Sequence, residues 1–136
     1  MKAFCTATAL ACLASMALLS AASAQATCPA PPAGAAVMVD GPVQAVWRAE
    51  PSPITVGRPF ARWVTLCPAD AVLLRVDATM PEHRHGMNYR PSFKPLGEGV
   101  WRVEGLLWHM SGRWELTLDL QAKGQDHRLR QSVSLP

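Results

Sequence analysis

The sequence predicts an all-β chain: an immunoglobulin-like antiparallel β-sandwich of about seven strands, preceded by an extended N-terminal arm. Three observations carry this. Short runs rich in Val, Leu and Trp recur roughly every 8–12 residues, with Pro- and Gly-containing turns between them. Period-2 alternation is clearest where Trp114, Leu116, Leu118 and Leu120 take one face and Glu115, Thr117 and Asp119 the other. No window carries helical periodicity of useful length.

The elements follow in order. Residues 1–24 read as a cleavable export signal. Lys2 is the basic start, Ala9–Leu19 the apolar run, and Ala22-Ser23-Ala24 the small-residue cleavage site, so the mature chain begins at Gln25. The apolar run is too short for a membrane span of about 20 residues. Cys12 comes too early for a lipoprotein site. Residues 25–42, rich in Pro, Ala and Gly, form the arm, and 43–136 the sandwich domain.

Within that domain Val43–Ala49 is the first strand, interrupted by Pro51-Ser52-Pro53. Pro59–Leu66 is the second. Ala71–Met80 is the third, with Val72, Leu74, Val76 and Ala78 alternating on its apolar face. Pro81–Glu98 is a loop. Gly99 opens the strand Val100–Met110, Ser111-Gly112-Arg113 turns, and the clearly alternating strand follows. Lys123-Gly124-Gln125-Asp126 is a hairpin turn, and His127–Leu135 closes the domain.

The mature length of about 112 residues is that of one domain. Formal net charge is +3, or +2 without Lys2, and the arginines are scattered singly. That pattern excludes a nucleic-acid surface. No later apolar run is long enough to span a bilayer, so with the export signal the expected location is the periplasm or outside the cell. Cys5 and Cys12 leave with the signal. Cys28 and Cys67 remain and read as a disulfide, worth about 4 kcal/mol on the chain-entropy argument. A redox or metal-ligand pair is the weaker reading, because no C-x-x-C is present.

The chemistry concentrates in Met80-Pro81-Glu82-His83-Arg84-His85-Gly86-Met87 and again in His109-Met110. Imidazole with thioether is a copper ligand set: sulfur prefers Cu(I), and imidazole accepts Cu(I) or Cu(II). In an extended segment His83, His85 and Met87 project to one side. Of His109 and Met110, adjacent on a strand, only one reaches the same ion. Zinc is the rival, through three histidines, but thioether is a poor zinc ligand. The bland alternative is solvated loop histidines and methionines filling gaps. His127 reads as a surface residue, Met38 as packing, and Trp101 and Trp108 as core or as a shield for a bound ion. Glu82 reads as an exposed carboxylate or as an acceptor orienting an imidazole. No C-x-x-C-H or G-x-S-x-G is present, and the predicted mature N-terminus is not histidine, so haem attachment, serine hydrolysis and an amino-terminal copper brace have no signature.

These two segments, the second extended to Gly105-Leu106-Leu107-Trp108-His109-Met110-Ser111-Gly112-Arg113-Trp114-Glu115-Leu116, resemble the YtkA-like family. Its members are small exported β-sandwiches similar to CopC-type copper carriers and FixH-type domains. The likeness runs from about Ala71 to Leu120. It implies His83, His85, Met87 and His109 as metal ligands, with Met80 and Met110 as further candidates. Ser111 stands where the family has proline, and Trp108 where it has phenylalanine. The resulting expectation is a periplasmic, non-enzymatic copper-binding protein serving copper trafficking, resistance or oxidase assembly. Its partners would be the copper ion and a copper-accepting periplasmic or membrane protein. The alternative is a structural or interaction domain of an exported redox or membrane complex, with no metal.

Overall fold

The computed structural model describes residues 28–136, so the proposed export signal lies outside the described residues. Nine strands are present: β1 (Ala36–Asp40), β2 (Val43–Glu50), β3 (Phe60–Cys67), β4 (Val72–Met80), β5 (His85–Gly86), β6 (Ser92–Gly97), β7 (Val100–Leu106), β8 (Gly112–Ala122) and β9 (Gln125–Leu135). They form two antiparallel sheets, one in the order β1-β2-β3-β7-β6 and the other β5-β4-β8-β9. The all-β expectation holds, and the architecture is a two-sheet sandwich. Among the described residues no helix is long and apolar enough to cross a membrane.

Alternation builds the core. Val43, Ala45 and Trp47 of β2, Val64 and Leu66 of β3, and Trp101 and Val103 of β7 face inward from one sheet. Trp114, Leu116, Leu118 and Leu120 of β8 meet them from the other, each fully buried. Burying each such side chain stabilises the fold by about 1.5–3 kcal/mol. Lys123 and Gly124, both at positive φ, close the β8–β9 hairpin as a two-residue turn.

Several expectations need correction. Nine strands replace about seven, because three short ones lie where loop or arm was expected. β1 lies in the arm, where Met38 buries its side chain. β5 and β6 both lie inside Pro81–Glu98. β6 is an edge strand, the position in a sheet that tolerates a proline such as Pro95, and the register is irregular between Pro95 and Gly97. Most of its side chains are exposed, so no alternation marked it.

On β4 the register shifts between Leu73 and Arg75. The extra residue reverses the phase of everything before it. Leu73, Val76, Ala78 and Met80 therefore face inward, while Val72 and Leu74, expected on the core face, are 46% and 50% exposed.

Cys28 and Cys67 are disulfide-bonded with Cα atoms 5.6 Å apart. The bridge fastens the start of the arm to the end of β3, beside Gln44 of β2, within one sheet's margin rather than between sheets. His127, expected at the surface, is mostly buried. Its Nδ1 lies 3.1 Å from a carboxylate oxygen of Asp40, linking β9 to the end of β1 where the sheets meet.

Candidate metal centre

β4 ends at Met80 and the chain reverses at once. The His83 amide donates to the Met80 carbonyl at 3.1 Å, and Arg84 takes a left-handed conformation (φ 55°). β5 then returns alongside, pairing His85 with Met80 and Gly86 with Thr79, and the Met87 amide donates to the Ala78 carbonyl. Only His85 and Gly86 of the expected extended segment are strand; His83 sits in the turn. Gly86 suits this close approach, since a Cβ at that position would lie 3.1 Å from the Ala78 carbonyl oxygen, a tight contact.

Residues directly opposite in an antiparallel pair project to the same face. Met80 points inward and is fully buried, so His85 is aimed over the same open end of the sandwich. The second segment arrives between β7 and β8. The Trp108 carbonyl accepts a hydrogen bond from the Gly57 amide at 2.8 Å, and the Met110 carbonyl accepts one from Trp114 Nε1 at 3.0 Å. His109, between these two anchors, is thereby fixed against β8.

Three imidazoles meet as a result. The ring centres of His83 and His85 are 5.8 Å apart, and those of His85 and His109 are 5.2 Å apart. The rings of His85 and His109 both stand edge-to-face on the Trp114 indole, at 6.2 and 5.6 Å. Among the described residues, no three or more His, Cys, Asp and Glu side chains are grouped so as to hold a metal ion by themselves. The imidazoles form a row packed as aromatic neighbours rather than a closed cage.

The methionines separate. Met80 lies beneath the row, its Cε 3.0 Å from where a Cβ on Gly112 would sit. Met110 is 37% exposed and holds the site through its carbonyl. Met87 packs at the core margin and lines a groove with Asp77, Tyr89 and Phe93. Glu82 is exposed, and one of its oxygens accepts a 2.8 Å hydrogen bond from Arg113 Nε.

Trp108 stacks on Trp114 with the ring planes 4° apart and the centres 5.4 Å apart. Behind Trp108 lies Arg62, which the sequence reading passed over. Its guanidinium carbon is 3.4 Å from the Trp47 ring centre, 5.0 Å from that of Trp108 and 5.5 Å from that of Phe60. Arg62 is fully buried, and neither its three nitrogens nor Trp108 Nε1 has a hydrogen-bond partner among the described residues. Burial pushes its pKa down to about 9, which leaves it charged at neutral pH. The signal was its phase: Arg62 shares the inward face of β3 with Val64 and Leu66. Trp101 and Trp108 are both core residues.

No protein-family model, curated protein or solved structure matches this chain.

Proposed function

We propose that this protein is an exported copper carrier without catalytic activity, holding the ion at the open end of the sandwich and releasing it to a copper-accepting periplasmic or membrane protein. The observation that carries this reading is the 5.2 Å approach of His85 and His109, from segments separated in sequence by β6 and β7. Two imidazoles sharing one ion at a metal–nitrogen distance of about 2.0–2.1 Å have ring centres about 5 Å apart. His83 extends the row, and closing it around an ion takes rotation of exposed or half-buried rings rather than backbone movement. Met80, opposite His85 and on its face, offers the thioether that favours copper over zinc. The likeness of the two motifs to the YtkA-like family points the same way.

Protein purified from copper-supplemented medium should hold one copper per chain after desalting. The His83→Ala/His85→Ala double variant should hold none, and unchanged stoichiometry in it would remove the proposal. The absence of a closed donor cage favours a second reading, a metal-free interaction domain of an exported redox or membrane complex. That reading requires that neither copper nor silver shift the melting temperature.

A further inference from the structure

We infer that the cargo of this site is a monovalent soft cation, Cu(I) or its congener Ag(I), and that the protein discriminates against divalent ions by withholding negative charge from the site. This rests on the copper reading and commits it to one charge state.

Three features of the structure carry the inference. The candidate donors, the imidazoles of His83, His85 and His109 and the thioether of Met80, the cross-strand partner of His85, are all neutral when they ligate. A divalent ion on such a set keeps its full double charge. Zinc and Cu(II) sites ordinarily offset that with a thiolate, a carboxylate or a water that loses a proton. The carboxylate next in sequence to the row, Glu82, is held by Arg113 at 2.8 Å, so its charge is already matched. Arg84, within the turn itself, adds a further exposed cation.

The third feature is Arg62. It is a positive charge at neutral pH, buried without a hydrogen-bonded anion among the described residues and held against the faces of Trp47 and Trp108. Trp108 stacks on Trp114, and Trp114 touches both His85 and His109. Three successive ring contacts therefore separate the buried cation from the histidine row, through two indoles, Trp108 and Trp114, that are themselves fully buried. Repulsion between Arg62 and a bound ion scales with the charge of that ion, so it costs a divalent ion twice what it costs a monovalent one. The aromatic faces stabilise the guanidinium without neutralising it. A buried charge with no partner is otherwise hard to account for, since apolar side chains of the same volume would pack there at less cost.

The test compares Ag(I), as an air-stable stand-in for Cu(I), with Zn(II) and Cu(II) in competition titrations of the intact mature protein. The wild type should retain one Ag(I) on desalting and release Zn(II), with at least about 100-fold preference. Arg62→Met should narrow that preference by about five- to tenfold, as expected for one buried unit charge at this remove. Arg62→Lys, which keeps the charge, should restore it. Arg113→Ala, a surface change that frees the Glu82 carboxylate, should also narrow it, and this variant decides the matter if Arg62→Met fails to fold. Wild-type protein that holds Zn(II) or Cu(II) as firmly as Ag(I) would overturn the inference while leaving metal binding itself intact. So would a preference unchanged in both charge variants. Failure to bind any of the three ions would remove the copper reading first, and this inference with it.

Discussion

Met80 and His85 are direct cross-strand partners, the last residue of β4 facing the first of β5. The pairing gives the buried thioether and the half-buried imidazole one face and one end of the sandwich. It is set by the four-residue turn Pro81–Arg84, whose left-handed Arg84 returns the chain onto its own strand. The position of His109 is set separately, by Trp114.

Among the described residues, Trp114 is the one ring that contacts both His85 and His109, and its hydrogen bond anchors the His109 segment. Trp114→Phe keeps a ring under His85 and His109 but loses the hydrogen bond to the Met110 carbonyl. A loss of about 1 kcal/mol of stability is expected in thermal denaturation. Copper affinity should fall by about tenfold in a competition titration, because the His109 segment is no longer held. An unchanged affinity would show that Trp114 only fills the core.

Gly112 is constrained twice. Its φ of 113° suits glycine, and an added Cβ would press on Met80 Cε at 3.0 Å. Gly112→Ala should destabilise the fold by about 1–3 kcal/mol, measured by urea denaturation. Met80→Ala in the same background should recover less than the backbone strain costs, since it adds a cavity.

The disulfide and the histidine row occupy opposite ends of the molecule. Cys28 lies near Ala122, while Trp114 sits close to the other end of the eleven-residue β8, about 25–30 Å away at strand spacing. Reduction, or the Cys28→Ala/Cys67→Ala variant, should lower stability by about 4 kcal/mol. Copper stoichiometry should stay at one per chain below the lowered melting temperature. A loss of bound copper on reduction of the folded protein would place the cysteines in the metal chemistry after all.

Acid sensitivity should trace in part to Asp119. The Arg128 side chain donates two hydrogen bonds to its carboxylate, at 2.6 and 3.0 Å, and holds its pKa below the ordinary 3.8. A carboxyl depressed on folding contributes stability that is fully present above its unfolded pKa and lost as pH falls through the folded value. Asp119→Asn should therefore flatten the decline of melting temperature below about pH 4 and lower the plateau above it. Parallel pH profiles for the two proteins would refute this.

Arg62 makes the opposite kind of prediction. Its folded pKa of about 9 lies well below the ordinary guanidinium value, so the folded state carries a penalty for the buried charge at all pH values below 9. The penalty is relieved as pH rises above 9, because the unfolded chain still binds the extra proton there. Metal-free Arg62→Met should be more stable than wild type at neutral pH by about 1–2 kcal/mol. The difference should shrink above pH 9 in chemical denaturation.

The architecture was legible because the dominant strands bury one face and solvate the other. The alternation of Trp114, Leu116, Leu118 and Leu120 recurs in β8, and the Cys28–Cys67 bridge matches the pairing expected from the two cysteines that lie outside the proposed export signal. β6 left no trace because an edge strand with both faces largely open has no alternation to display. The β4 bulge was silent because one inserted residue changes phase without changing composition. His127 read as a turn residue because Asp40, its partner, lies 87 positions away.

The sequence by itself determined an all-β domain, the cysteine pair and the concentration of imidazole and thioether in two short segments. Each of these is a local property, fixed by alternation, by residue type or by spacing along a few neighbours. Only the tertiary structure decided that His85 and His109 lie 5.2 Å apart, that Met80 is buried opposite His85 while Met110 is exposed, and that Arg62 sits behind Trp108 with no hydrogen-bond partner among the described residues. Those are facts about which strands lie side by side and which faces they turn inward. Register and bulges set them through backbone pairing between segments far apart in the chain, and no window of sequence carries that information.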